Sequence, residues 1–325
     1  MLFLAILVGI VSVFVLIKGS DWSTESIARV AKRLGVSHVA IGLILVSLMV
    51  SLPEIFVAIS SLVQNRPAIG LGVIIGSVIA NIGLMVGISA MIRPFKVQRS
   101  LILRDGVFSV IVAILVLILA IDGTITGAEG WAFILLFIPY LINVWATEKS
   151  EPKAEREEEL KEAVLELKLF GIKLWNLKAS SWTFFLGLIL LLAGSFAFTW
   201  SLGIIGAKSG VSDFIVGLTL GALGTSIPNI ASAIQATIKN LDQVAISETL
   251  GSNIFTLLVT LGIIAAFQPV KVLPRWLAFD IPIMVLMSLL LFGFMIFRQR
   301  ITRGEGILLV GLYVVFLVGN VFIAG

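Results

Sequence analysis

Ser51-Leu52-Pro53-Glu54 returns 175 positions later as Ser226-Ile227-Pro228-Asn229. The same offset carries Gly35-Val36-Ser37 onto Gly210-Val211-Ser212, and Gly76-Ser77 onto Gly251-Ser252. It also carries Pro94-Phe95-Lys96-Val97 onto Pro269-Val270-Lys271-Val272, and Asp105 onto Asp280. In an apolar chain, duplicated Gly, Ser and Pro interrupting hydrophobic segments imply the two halves of a secondary transporter, with the substrate site where the halves meet.

Working outward, hydrophobic residues fill 59% of the 325 positions and charged residues 13%, and the mean hydropathy is +1.12. A soluble domain carries about 25% charged residues, so this composition implies an integral membrane protein. The net charge of +4 does not point to nucleic acid, because Lys and Arg sit in short loops beside apolar spans. The absence of Cys excludes disulfides and thiolate metal sites. The apolar N-terminus reads as a retained span, since it has neither a positive leading region nor a small-residue cleavage site.

Apolar runs of the length a bilayer demands fall at about 2–24, 38–64, 68–92, 101–121, 127–147, 182–206, 213–238, 243–267, 276–297 and 304–323. The expectation is an all-α membrane protein of ten transmembrane helices. Five spans per repeat is an odd number, so the second repeat enters from the opposite side and the two are inverted. Residues 1–147 form the first repeat, 148–181 a polar linker and 182–325 the second repeat. The linker mixes both charge signs and reads as a solvated connector without a calcium-loop spacing.

Lys and Arg gather in the loops after spans 1, 3, 5, 7 and 9, whereas the other side holds only Arg66, Lys208, Lys271 and Arg275. The bias places the linker in the cytoplasm and both termini outside a plasma membrane.

Polar residues inside spans 2, 3, 7 and 8 mark the chemistry. Ser47, Ser51 and Glu54 share one helical face at i, i+4, i+7 beside Pro53, which removes a backbone donor. Thr225, Ser226 and Asn229 surround Pro228 in the second repeat. Span 3 adds Ser77 and Asn81, and span 8 adds Glu248, Ser252 and Thr256. Each offers oxygen, and no Cys or converging His joins them, which suits hard cations such as Na⁺ or Ca²⁺. Ionisable groups at membrane depth are expensive, so Glu54 is expected to be functional. Glu248 lies near the start of span 8; it either joins the cation site, lines its cytoplasmic approach, or snorkels to the interface. Asp21 and Glu25 read equally as path gates or loop-facing groups, and Asp105 and Asp280 as caps or interfacial residues. Gly70-Leu71-Gly72 with Gly76 mimics a dinucleotide fingerprint, but without a strand context it reads as packing glycine. No nucleophile–base pair or HExxH suggests an enzyme, and no cofactor is expected.

At these residues the chain resembles the cation/calcium exchanger superfamily, especially the prokaryotic sodium/calcium exchangers, whose repeats carry G-T-S-[LI]-P-E followed by G-S-N-x-x-[ND]. The first repeat here reads Val50-Ser51-Leu52-Pro53-Glu54 and Gly76-Ser77-Val78-Ile79-Ala80-Asn81. The second reads Gly224-Thr225-Ser226-Ile227-Pro228-Asn229 and Gly251-Ser252-Asn253-Ile254-Phe255-Thr256. Gly19-Ser20-Asp21-Trp22 in span 1 extends the likeness. The resemblance implies Na⁺/Ca²⁺ antiport at a midplane site enclosed by eight helices, with helices 1 and 6 sliding across them and helices 2, 3, 7 and 8 discontinuous. It leaves two alternatives: H⁺ or another cation as coupling ion, or a cation-binding relative that does not transport. The chain departs from the family where Asn229 replaces the second central glutamate, where Thr256 closes the second motif, and where Glu248 stands in place of Asn.

Overall fold

The computed structural model describes residues 1–33, 49, 51–150 and 180–324. Ser47, the Gly35-Val36-Ser37 landmark and most of the linker lie outside these residues. Among the described residues nine helices are long and apolar enough to cross a bilayer, and a shorter apolar helix, Leu52–Val63, stands beside them. In chain order the helices are α1 (Leu2–Arg33), α2 (Leu52–Val63), α3 (Pro67–Ile92), α4 (Arg99–Ala120) and α5 (Gly127–Ser150). The second half supplies α6 (Ser181–Ser209), α7 (Asp213–Ile238), α8 (242–267), α9 (Trp276–Arg298) and α10 (Arg303–Ala324).

Burial sorts these helices by position. The apolar window of α3 is 94% buried and that of α8 78%, against 33% for α1. The central helices α3 and α8 thus carry polar side chains away from lipid, while α1 spends most of its surface on it. Close approach comes from glycine, since helices in lipid associate by packing rather than by apolar burial. Gly72 and Gly76 of α3 cross Gly217 and Gly221 of α7, where a Cβ on Gly76 would lie 2.6 Å from that of Ala222. The Gly70–Gly76 stretch is therefore a packing surface. Gly19 of α1 meets Gly187 of α6 in the same way, a Cβ on Gly187 falling 2.7 Å from the Gly19 carbonyl oxygen.

Among the described residues α3, α7 and α8 run without an unwound gap and widen instead into π-turns. These occupy Asn81–Val86 in α3, Gly217–Gly221 in α7 and Thr256–Thr260 in α8, with two more at Ile102–Gly106 in α4 and Trp276–Asp280 in α9. A π-turn inserts one residue into the helical ladder and re-aims the side chains around it. Asn81 and Thr256, 175 residues apart, each open one.

Four two-residue strands join the loops. β1 (Phe95–Lys96) pairs antiparallel with β4 (Arg300–Ile301), and β2 (Thr124–Ile125) with β3 (Val270–Lys271). Asp105 and Asp280 are buried at 1% and 0% exposure, not interfacial. Arg104 donates to both oxygens of Asp105 at 2.8 Å, and the Tyr140 hydroxyl of α5 donates to one of them at 3.3 Å. Asn320 of α10 donates to Asp280 at 3.0 Å. Their burial is tolerable because each is bonded, and the Tyr140 and Asn320 bonds tie one outer helix to the next.

Candidate cation site

Pro53 falls in the first turn of α2, where its missing N–H costs nothing, and places Glu54 in that turn. The positive end of the helix dipole favours a carboxylate there. In α7 the helix continues through Pro228, which has no N–H to give the carbonyl of Gly224. Both repeats therefore put a proline beside the residue that matters and leave backbone polarity near it.

The two halves meet at these residues. Asn229 Nδ2 donates to Glu54 Oε1 at 3.3 Å, across 175 positions of sequence. Ser51 and Ser252 hydroxyls are 2.9 Å apart, joining the start of α2 to α8. Ser77 of α3 lies 3.4 Å from Thr225 of α7, which also donates to the carbonyls of Gly221 and Ala222 at 3.1 and 3.2 Å. Asn81 Nδ2 donates to Asn253 Oδ1 at 3.0 Å, linking α3 to α8. Every one of these eight side chains is 0% exposed.

Several oxygens in this cluster have no hydrogen-bond partner among the described residues. They are Glu54 Oε2, Asn229 Oδ1, Asn81 Oδ1, Ser226 Oγ and Thr256 Oγ1. A buried polar atom left unsatisfied costs about 1–3 kcal/mol. A concentration of such acceptors at the meeting point of four segments can be offset by a cation that accepts oxygen ligands. Among the described residues no three His, Cys, Asp or Glu side chains cluster, so neutral oxygens dominate the donor set.

The sequence-predicted residues fall into four groups. Glu54, Ser51, Ser77, Asn81, Thr225, Asn229 and Ser252 are drawn into the contacts above. Ser226 and Thr256 are buried beside them with orphaned hydroxyls. Glu248 is 3% exposed and so does not snorkel to the interface; its Oε2 accepts from Ser232 of α7 at 3.3 Å. Ser47 lies outside the described residues.

Two participants escaped the sequence reading. Asn253 sits one position off the Glu248–Ser252–Thr256 stripe, so helical spacing did not select it. Ser232 follows Thr225 and Asn229 at i, i+4, i+7, the spacing that selected Ser47, Ser51 and Glu54, and was legible by that rule.

The sodium/calcium exchanger protein family matches residues 4–146 and 179–322. The chain is 33% identical to the sodium/calcium exchanger MaX1 of Methanosarcina acetivorans over 97% of both chains. It is 30% identical to the membrane protein MJ0091 of Methanocaldococcus jannaschii, again over 97% of each. Among solved structures, the sodium-calcium exchanger NCX_Mj soaked with 2.5 mM Na⁺ and 0.1 mM Ca²⁺ is similar with a TM-score of 0.65 and 28% identity, covering 98% of this chain and 99% of that one. The fold, the match along both repeats and the relatives agree: the chain belongs to the sodium/calcium exchanger protein family.

Proposed function

We propose that the chain is a secondary antiporter that exchanges Na⁺ for Ca²⁺ by alternating access at the centre formed by Glu54 and Asn229. The observation that carries this reading is the 3.3 Å contact between them, residues equivalent by the repeat and brought together from opposite halves. Glu54 supplies the negative charge that a cation leaving water requires. Ser51, Ser77, Asn81, Thr225, Ser226, Asn229, Ser252 and Thr256, with Ser47, supply the neutral oxygens that replace its hydration shell. The transported ions are substrates, and no resident cofactor is part of the reading.

The architecture proposed is two inverted repeats of five helices, 1–147 and 182–325, joined by the linker 148–181. Two features support it. The π-turns at Asn81–Val86 and Thr256–Thr260 recur at the repeat offset, as do those at Ile102–Gly106 and Trp276–Asp280 to within a residue. The strand pairs join the loop after α3 to the loop after α9, and the loop after α4 to the loop after α8. In a ten-helix chain each of these pairs lies on one side of the membrane. The excess of Lys and Arg in the loops after α1, α3, α5, α7 and α9 supports a cytoplasmic linker and external termini.

The coupling ion is tested with ⁴⁵Ca uptake into vesicles reconstituted with the purified chain. An outward Na⁺ gradient drives uptake, and a pH gradient of equal size without Na⁺ does not. Uptake driven by the pH gradient alone would replace Na⁺ by H⁺ as the coupling ion.

A further inference from the structure

The repeat makes a prediction for every site: what stands on one side of the centre has a counterpart on the other. At one level the two sides differ in kind. On the side of the loops after α3, α7 and α9, Ser232 of α7 donates to Glu248 of α8. Subtracting the offset of 175 gives Val57 in α2 and Val73 in α3. Both valines are 0% exposed and belong to one hydrophobic cluster with Leu16 and Ile69. A polar pair thus faces an apolar seal across the centre.

Two chain paths fix the depth of the polar pair. Helix α8 begins at Asp242, which is paired with Arg93. At 1.5 Å per residue, Glu248 lies ~9 Å into the helix and Ser252 ~15 Å, the latter about half of a 30 Å hydrocarbon core. Helix α7 ends at Ile238, and reading back from there puts Ser232 at ~9 Å and Asn229 at ~13 Å. The two estimates agree that Glu248 and Ser232 sit roughly one helical turn short of the Glu54–Asn229 contact. Ser252, one turn beyond Glu248, bonds Ser51, so the stripe on α8 runs from the polar pair directly into the centre.

We propose that Glu248 and Ser232 form a second cation station, which holds Ca²⁺ between the linker-side face and the centre and has no equivalent on the opposite side. The station rests on the exchanger reading for its direction of use. A divalent ion meets only one carboxylate at the centre, since Asn229 takes the second carboxylate's place there. Glu248 offers the missing charge one turn away, on the linker side alone. Ca²⁺ arriving from that side is partly dehydrated by an anion before it reaches Glu54. Ca²⁺ from the other side passes between Val57 and Val73 with no such aid.

The test is equilibrium ⁴⁵Ca binding to the purified full-length chain, with Glu54→Gln used to silence the centre. Glu54→Gln is expected to keep a weaker residual Ca²⁺ affinity, and adding Glu248→Gln to lower that residue by about tenfold or more, the equivalent of 1.4 kcal/mol. Ser232→Ala in the Glu54→Gln background lowers it by less; this arm decides the matter if the double variant is not monodisperse. Residual binding that is absent, or present and indifferent to both changes, overturns the station. In sided vesicles Glu248→Gln should raise the Ca²⁺ concentration for half-maximal flux at the linker side only, and an equal rise on both sides would make Glu248 part of the centre instead. If wild-type vesicles show no Na⁺-driven flux, the exchanger reading fails while the binding arm still decides the station.

Discussion

The contact between Glu54 and Asn229 places one formal charge where the family pattern places two. Two carboxylates in that position would repel one another unless a divalent ion lay between them. An amide donor removes the repulsion by bonding the remaining carboxylate, as Asn229 Nδ2 does. On the proposed reading the centre holds a divalent ion less strongly than a two-carboxylate centre would. Asn229→Glu should shift preference toward Ca²⁺ over Na⁺ by about tenfold, and should restore Ca²⁺ affinity to a Glu248→Gln chain. Competition of Na⁺ with ⁴⁵Ca binding measures both, and an unchanged selectivity in Asn229→Glu would show that the residue lies off the ion's path. These central residues were legible because each is a polar exception within an apolar span and has a partner at a fixed offset. Asn253 stands in the G-S-N motif, but its partner Asn81 lies on another helix, and nothing in local spacing encodes that pairing. Of the two readings of Asp105 and Asp280, the interfacial one fails for a related reason: Arg104 with Tyr140, and Asn320, bond carboxylates that are buried, and Tyr140 and Asn320 are distant in sequence.

At the scale of helices, small residues and prolines set the geometry. The α3–α7 crossing is so close that a side chain on Gly76 would enter α7. Gly76→Leu should therefore prevent stable folding, seen as loss of the monodisperse peak, since inserted methylenes in tight packing cost about 1–3 kcal/mol and a backbone contact leaves little room to relax. A well-folded, active Gly76→Leu chain would mean that the crossing is looser than this. Pro228 acts oppositely, because it withholds a hydrogen bond from Gly224 within a continuous helix. Pro228→Ala should raise the melting temperature, a mid-helix proline costing about 3 kcal/mol, and should weaken cation binding by satisfying a carbonyl beside the centre. A variant that gains stability with unchanged affinity would remove that carbonyl from the argument. Proline suggested a break at Pro228, whereas the helix runs through it and the π-turns open elsewhere, at Asn81, Gly217 and Thr256.

For the whole molecule, the all-helical membrane fold was legible because long apolar runs recur along the chain, nine of them long enough to cross a bilayer among the described residues; the inverted pairing of the halves is part of the proposal. Sidedness is accessible because the chain contains no cysteine, so a single introduced thiol reports without background. In intact cells Lys208→Cys should react with a membrane-impermeant maleimide and Lys239→Cys only after permeabilisation; the reverse pattern would invert the proposed topology. Shortening the linker to a flexible segment that still bridges α5 and α6 should preserve turnover, and complete loss of flux from a well-folded deletion would give the linker a part in exchange. The central claim is that transport runs through Glu54, the one carboxylate at the meeting point of the repeats. An opposite charge at contact distance contributes about 4 kcal/mol at an effective dielectric of 20. The most direct measurement is Na⁺-gradient-driven ⁴⁵Ca flux in vesicles bearing wild type or Glu54→Gln at equal, verified reconstitution. Flux is predicted to fall by about 100-fold or more in the folded variant, and flux within twofold of wild type would contradict the account.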